Sequence, residues 1–122
     1  MEIYVMGITE DQKQALSEAA SGLRVAFSAE GIPVQFIEGS GVIAVQYDGQ
    51  AAVVSCGGAS QFVRAFGLTV EGIRKGKPFN LEETPLYDSL GVMIDCSRNG
   101  VLHMDAFQNI ILRLALMGYT SV

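Results

Sequence analysis

Tryptophan is absent from the 122 residues, histidine occurs once, cysteine twice and proline three times. Each scarcity removes a class of function. With no tryptophan and 8% aromatic residues, few aromatic faces are available for a sugar ring to stack on, which argues against a freestanding carbohydrate-binding module. One histidine, His103, and two well-separated cysteines, Cys56 and Cys96, make neither a local zinc knuckle nor a metal constellation, so no metal or cofactor is expected. Charge is also scarce. Charged residues are 17% of the chain, and 8 Lys and Arg against 13 Asp and Glu leave a net charge of −5. That balance gives no electrostatic footprint for nucleic acid or for an anionic membrane surface. No apolar run approaches the ~18 residues of a membrane span. Met1-Glu2-Ile3-Tyr4 lacks the basic start and apolar stretch of a signal peptide. A cytoplasmic location, with both cysteines reduced and buried, is the expectation.

What is present is apolar. Hydrophobic residues make up 49% of the chain and mean hydropathy is +0.31, ample for a core of ordinary size and incompatible with disorder. Ile3 and Val5 alternate with Tyr4 and Met6 in a first short strand. Thr9 then offers an N-cap, Gln12 completes a capping box, and Glu10 and Asp11 suit the positive helix end. Leu16, Ala20, Leu23 and Phe27 recur at helical spacing, and Gly31 with Pro33 supplies the stop. Strands follow at Pro33 to Ile37 and Val42 to Tyr47. Asp48-Gly49 is a hairpin signal in which both turn positions want positive φ, which places the next strand at Gln50 to Cys56. Gly57-Gly58 breaks that strand and could bind an anion at a helix N-terminus or simply interrupt the chain. Phe62, Phe66, Val70 and Ile73 then mark a second amphipathic helix, whose continuity Gly67 and Gly72 weaken. Lys77 to Asp88, with two prolines and Glu82-Glu83, reads as a linker.

The last third has a different character. The apolar run Leu90 to Ile94 ends in the polar cluster Asp95-Cys96-Ser97-Arg98-Asn99-Gly100. An apolar helix, Met104 to Met117, comes next, and Tyr119-Thr120-Ser121-Val122 resembles the start of another strand. Strand, polar loop and helix form the unit that a (β/α)8 barrel repeats eight times. The fold class expected is therefore α+β: a small sheet of about four strands with two helices on one face, residues 1–86, followed by a truncated βα unit of such a barrel, residues 87–122. In a barrel, functional groups gather at the carboxyl ends of the strands. Asp95 and Arg98 stand there, where a carboxylate and a guanidinium could bind the hydroxyls of a small polar ligand, pair with each other, or cap the next helix. His103 suits a surface or capping position better than that of a general base.

The string from Tyr87 to Asn99, Tyr-Asp-Ser-Leu-Gly-Val-Met-Ile-Asp-Cys-Ser-Arg-Asn, resembles the first barrel strand of glycoside hydrolase family 20, the β-N-acetylhexosaminidases. Leu114-Ala115-Leu116-Met117-Gly118-Tyr119 is similar to the end of the family's first barrel helix, and the Asp-Cys-Ser-Arg-Asn motif resembles a bacterial subgroup without a secretion signal. Met1 to Leu86 is similar only in layout to the small α+β domain that precedes the barrel. The resemblance implies an exo-acting, retaining hydrolase that removes terminal β-linked N-acetylglucosamine or N-acetylgalactosamine. The substrate's own acetamido oxygen attacks the anomeric carbon, while a family Asp-Glu pair orients the acetamide and protonates the leaving group. That pair belongs to later barrel strands and nothing here aligns with it, so the 122 residues alone are expected to be inactive. Leu90 stands where many members carry a sugar-binding arginine. Asp95 and Arg98 match the subgroup motif and are the expected substrate-binding residues; Asn99 shares the motif. The alternatives are a non-catalytic carbohydrate-binding module and a structural or oligomerisation domain. On its own the apolar helix must find another surface: it could fold back on the small domain or pack against a second copy through exchange of the strand and helix, and self-association is the expectation.

Overall fold

The computed structural model describes residues 1–97 and 100–122. Strand β1 (Glu2–Met6) leads to helix α1 (Glu10–Gly22). The capping box forms: Thr9 Oγ1 accepts from Gln12 N at 3.2 Å and Gln12 Oε1 from Thr9 N at 2.9 Å. Two amide donors that the first turn would leave unpaired are thereby satisfied. The helix ends earlier than its apolar stripe suggests. Leu23 is the C-cap and Arg24 takes φ 55°, so the N–H groups of Arg24 and Val25 turn back to the carbonyls of Ser21 and Ala20. This left-handed reversal swings the chain into β2 (Ala26–Phe27), and Phe27 reaches the core from a strand, edge-on to Phe66 at 6.2 Å. Gly31 is not the helix stop. It lies against β1, where a Cβ would come within 2.5 Å of Ile3 N.

Next come β3 (Ile32–Glu38), β4 (Ile43–Tyr47), β5 (Ala52–Cys56), helix α2 (Ala59–Arg74), β6 (Phe79–Glu83) and helix α3 (Met104–Met117). The strands form one mixed sheet in the order β2-β1-β3-β5-β4-β6. β1 is parallel to β2 and β3, and β3 to β5, while β4 is antiparallel to β5 and β6. The architecture is α+β, with two strands more than the sequence suggests. One is only two residues long. The other, β6, occupies much of the segment read as a linker: Phe79 and Leu81 alternate with Asn80 and Glu82, and this period of two pairs with β4. The β4–β5 hairpin forms, but its connection has four residues. Asp48 Oδ1 accepts from Gln50 N and Ala51 N at 2.7 and 2.8 Å, and Gly49 has φ 100°. An aspartate side chain closes this turn, and the strand starts at Ala52 rather than Gln50.

Alternation sorts the sheet into two faces. Ile3, Val34, Phe36, Val45 and Val54 are buried, whereas Tyr4, Ile37 and Val53 on the opposite face are exposed. Helices α1 and α2 cover the buried face, bringing Leu16, Ala20, Phe62, Phe66 and Val70 into one core cluster with those strand residues. The two glycines that weakened α2 on paper are sites of close approach. A Cβ at Gly72 would overlap the Phe79 ring, and one at Gly67 would lie 3.0 Å from Leu116 Cδ2. Gly22 of α1 stands in the same relation to Leu112, at 3.1 Å. Helix α3 thus settles on α1 and α2 through two leucines one turn apart, each above a glycine. At Gly72 the clash with a packed ring outweighs alanine's better helix propensity, so Gly72→Ala is expected to lower unfolding free energy by about 1–2 kcal/mol. Urea titration should show a lower midpoint with an unchanged slope.

Candidate functional site

The segment Leu90 to Ile94 does not form a full strand. One bridge is made, parallel, between Gly91 and Ser121. Around it Thr120 N donates to Leu90 O at 2.8 Å and Val92 N to Ser121 O at 3.2 Å, while Thr120 Oγ1 accepts from Leu90 N at 2.9 Å. A Cβ at Gly91 would stand 2.6 Å from Ser121 Oγ, so a larger residue there would need the Ser121 hydroxyl to turn away. Helix α3 links the two paired segments and stops at Gly118, φ 91°, with the N–H groups of Gly118 and Tyr119 on the carbonyls of Ala115 and Leu114. In place of the expected strand there is a single parallel bridge, with α3 as the crossover between its two sides.

The polar loop leaves the carboxyl end of this pair. Asp95 is exposed, and its Oδ1 accepts from Ser97 N at 2.8 Å and from Ser97 Oγ at 2.5 Å. The Ser97 hydroxyl, then its N–H, hold the Asp95 carboxyl below the usual carboxylate range. Both contacts use one carboxylate oxygen; among the described residues none donates to the second. Arg98 and Asn99 lie outside the described residues. Asp95 does not cap α3. That helix starts after His103, which is exposed, occupies the N-cap position and makes no side-chain capping bond. Cys96 is exposed, against expectation, because the segment before it has a partner on one side only; Cys56 is buried. Burial pushes the Cys56 thiol up, away from the thiolate. Gly57 is a close-packing site, where a Cβ would overlap the Gly41 backbone, whereas a Cβ at Gly58 would meet nothing within 4 Å; Gly57 N donates to Gln61 Oε1 at 2.9 Å. Among the described residues no three His, Cys, Asp or Glu side chains could share a metal ion, and no helix is long and apolar enough to cross a membrane.

A second polar cluster, missed in the sequence, lies where the sheet, α2 and α3 meet. Arg64 Nε and Nη2 donate to Glu83 Oε1 and Oε2 at 2.9 and 2.8 Å, and Arg64 Nη1 donates to Leu116 O at 3.1 Å. The forked contact holds the Glu83 carboxyl below its ordinary range and raises the Arg64 guanidinium above its own. Beside it opens a cleft of about 410 Å³, lined in part by Gln61, Tyr87, Asp88, Leu90 and Thr120. The signal for this cluster was the alternation in β6, which turns Glu83 to the same face as Phe79 and Leu81.

The fold defines a small α+β domain with one βα unit packed against its helices. Similar solved structures include an exo-β-N-acetylglucosaminidase of glycoside hydrolase family 20 from Vibrio harveyi in complex with N-acetylglucosamine, at TM-score 0.69 and 14% identity, over 98% of this chain and 21% of that one. An inactive mutant of the Vibrio harveyi enzyme matches at TM-score 0.69 and 16% identity with the same coverage. This chain therefore shares the fold of about a fifth of those proteins (21%). No protein-family model and no curated protein matches the sequence.

The Asp95 carboxyl should titrate below the ordinary aspartate range in the native chain and move up toward it in Ser97→Ala, as followed by carboxyl-carbon NMR. Because the folded value is the lower one, the stabilising contribution of these contacts is complete above the ordinary carboxyl range and is lost as pH falls through the depressed value.

Proposed function

We propose that these residues are the N-terminal domain (1–86) and the first strand and helix of the catalytic barrel (87–122) of a β-N-acetylhexosaminidase. What carries this reading is that the likeness to the Vibrio enzymes runs through the α+β domain and into a βα unit whose flanking segments pair in parallel across α3. The parent enzyme removes terminal β-linked N-acetylglucosamine or N-acetylgalactosamine with retention, the acetamide of the substrate acting as nucleophile. In this reading Asp95 and Arg98, at the carboxyl end of the first barrel strand, hold sugar hydroxyls, with Ser97 keeping Asp95 ionised and oriented. The acid that protonates the leaving group comes from later strands, the 122 residues alone do not turn over, and the enzyme works in the cytoplasm.

The test is hydrolysis of a chromogenic β-N-acetylglucosaminide by the 122-residue chain and by the same chain continued through the remaining barrel repeats. Only the longer protein should be active. Within it Asp95→Ala should lower kcat/KM about ten- to a hundredfold, the loss of one charge-assisted hydrogen bond. Activity in the short chain would place the catalytic groups elsewhere, and inactivity of both would end the hydrolase reading.

A specific observation supports self-association of the 122-residue chain. Eight of the twelve exposed large apolar side chains among the described residues lie from Leu86 onward, Met93, Met104 and Met117 among them. Apolar surface concentrated on one unit is what a second copy could cover. Sedimentation at tens of micromolar should show dimers or larger species, and a monomer would count against the proposal.

A further inference from the structure

We propose that Arg64 is a positioning residue that fixes the 90–97 segment from a distance, through the end of α3. The leucine seats at Gly22 and Gly67 hold α3 sideways by apolar contact, which is non-directional and leaves the helix free to shift along its axis. A hydrogen bond removes that freedom. Two arms of the guanidinium are tied to Glu83 on β6 and the third reaches Leu116 O, one of the last-turn carbonyls that a helix leaves without an internal partner. A cation there also suits the negative end of the helix. Gly118 follows, its Cα side turned to the Arg64 stem, such that a Cβ would lie 3.6 Å from Arg64 Cγ. Two residues later Thr120 clasps Leu90 through backbone and side chain, and Ser121 receives Val92 N. A series of contacts thus runs from β6 through Arg64 and the α3 terminus to Leu90 and Val92, in the segment that leads to Asp95.

The positioning claim concerns the fold and is independent of the hydrolase reading; that it serves a sugar site rests on that reading. It is tested by amide hydrogen exchange on the 122-residue chain, without an activity assay, so the two can fail separately. In Arg64→Met the amides of Tyr119, Thr120 and Val92 should exchange about tenfold faster, while those of Val34 and Val54 in the sheet keep their native rates. Glu83→Gln retains the shape of its side chain but weakens the anchor, and should accelerate the same amides to a smaller extent. Arg64→Lys has one point charge in place of the fork and should restore protection only in part. Acceleration spread equally over the sheet would reduce Arg64 to a general stabiliser and overturn the proposal. So would unchanged rates at Thr120 and Val92, or complete rescue by lysine.

Discussion

Helix α2 must be covered on more than one side, and the rest of the molecule is arranged around that requirement. Its buried residues, Phe62, Ala65, Phe66, Leu68, Thr69, Val70, Gly72 and Ile73, extend over more than half of its circumference, too much for one sheet face to absorb. β4 and β5 take one side, α1 and α3 lie alongside, and Phe79 of β6 fills the space left open at Gly72. The one buried polar side chain among the described residues, Thr69, is satisfied within the helix by Ala65 O at 2.8 Å. α2 is thus a shared wall between the sheet and the βα unit, and Arg64 is the polar contact that the wall makes with both.

How much of this could be read from the sequence follows from the range of each signal. Thr9 with Gln12, the α2 stripe and the span of α3 were legible because capping and periodicity are local and fully encoded in adjacent residues. The end of α1 was not, because Phe27 continues a helical spacing by coincidence after Arg24 has already reversed the chain. β6 was hidden by its glutamates and by the prolines on either side of it, which suggest a linker until β4 is known to need a partner. At the site the position of the polar loop was legible, but capping of α3 by Asp95 does not occur, and its actual partner Ser97 was not singled out. The alternation in β6 could have placed Glu83 on a face, but its pairing with Arg64, like that of Thr120 with Leu90, was silent, because the partners are remote in the chain and adjacent only after folding.

The two polar clusters differ in what they can do. Asp95 with Ser97 is exposed and locally built, from residues two apart in the chain. Arg64 with Glu83 is half-buried, and its three named contacts use all three guanidinium nitrogens, which suits it to hold structure and leaves little for binding. The cleft beside it is accordingly a seam between elements, with the clasp of Thr120 on Leu90 along one side.

The Gly91–Ser121 pairing joins segments some thirty residues apart in the chain, as its companion Thr120–Leu90 bond records. A helix such as α3 can form on a submicrosecond scale, whereas pairing that closes a long loop carries an entropic cost that little but the helix between its ends reduces. Loop-closure entropy therefore favours an order of assembly in which the helix forms first, seats against α2 next and pairs its flanking segments last, so that the geometry around Asp95 depends on the docking of α3.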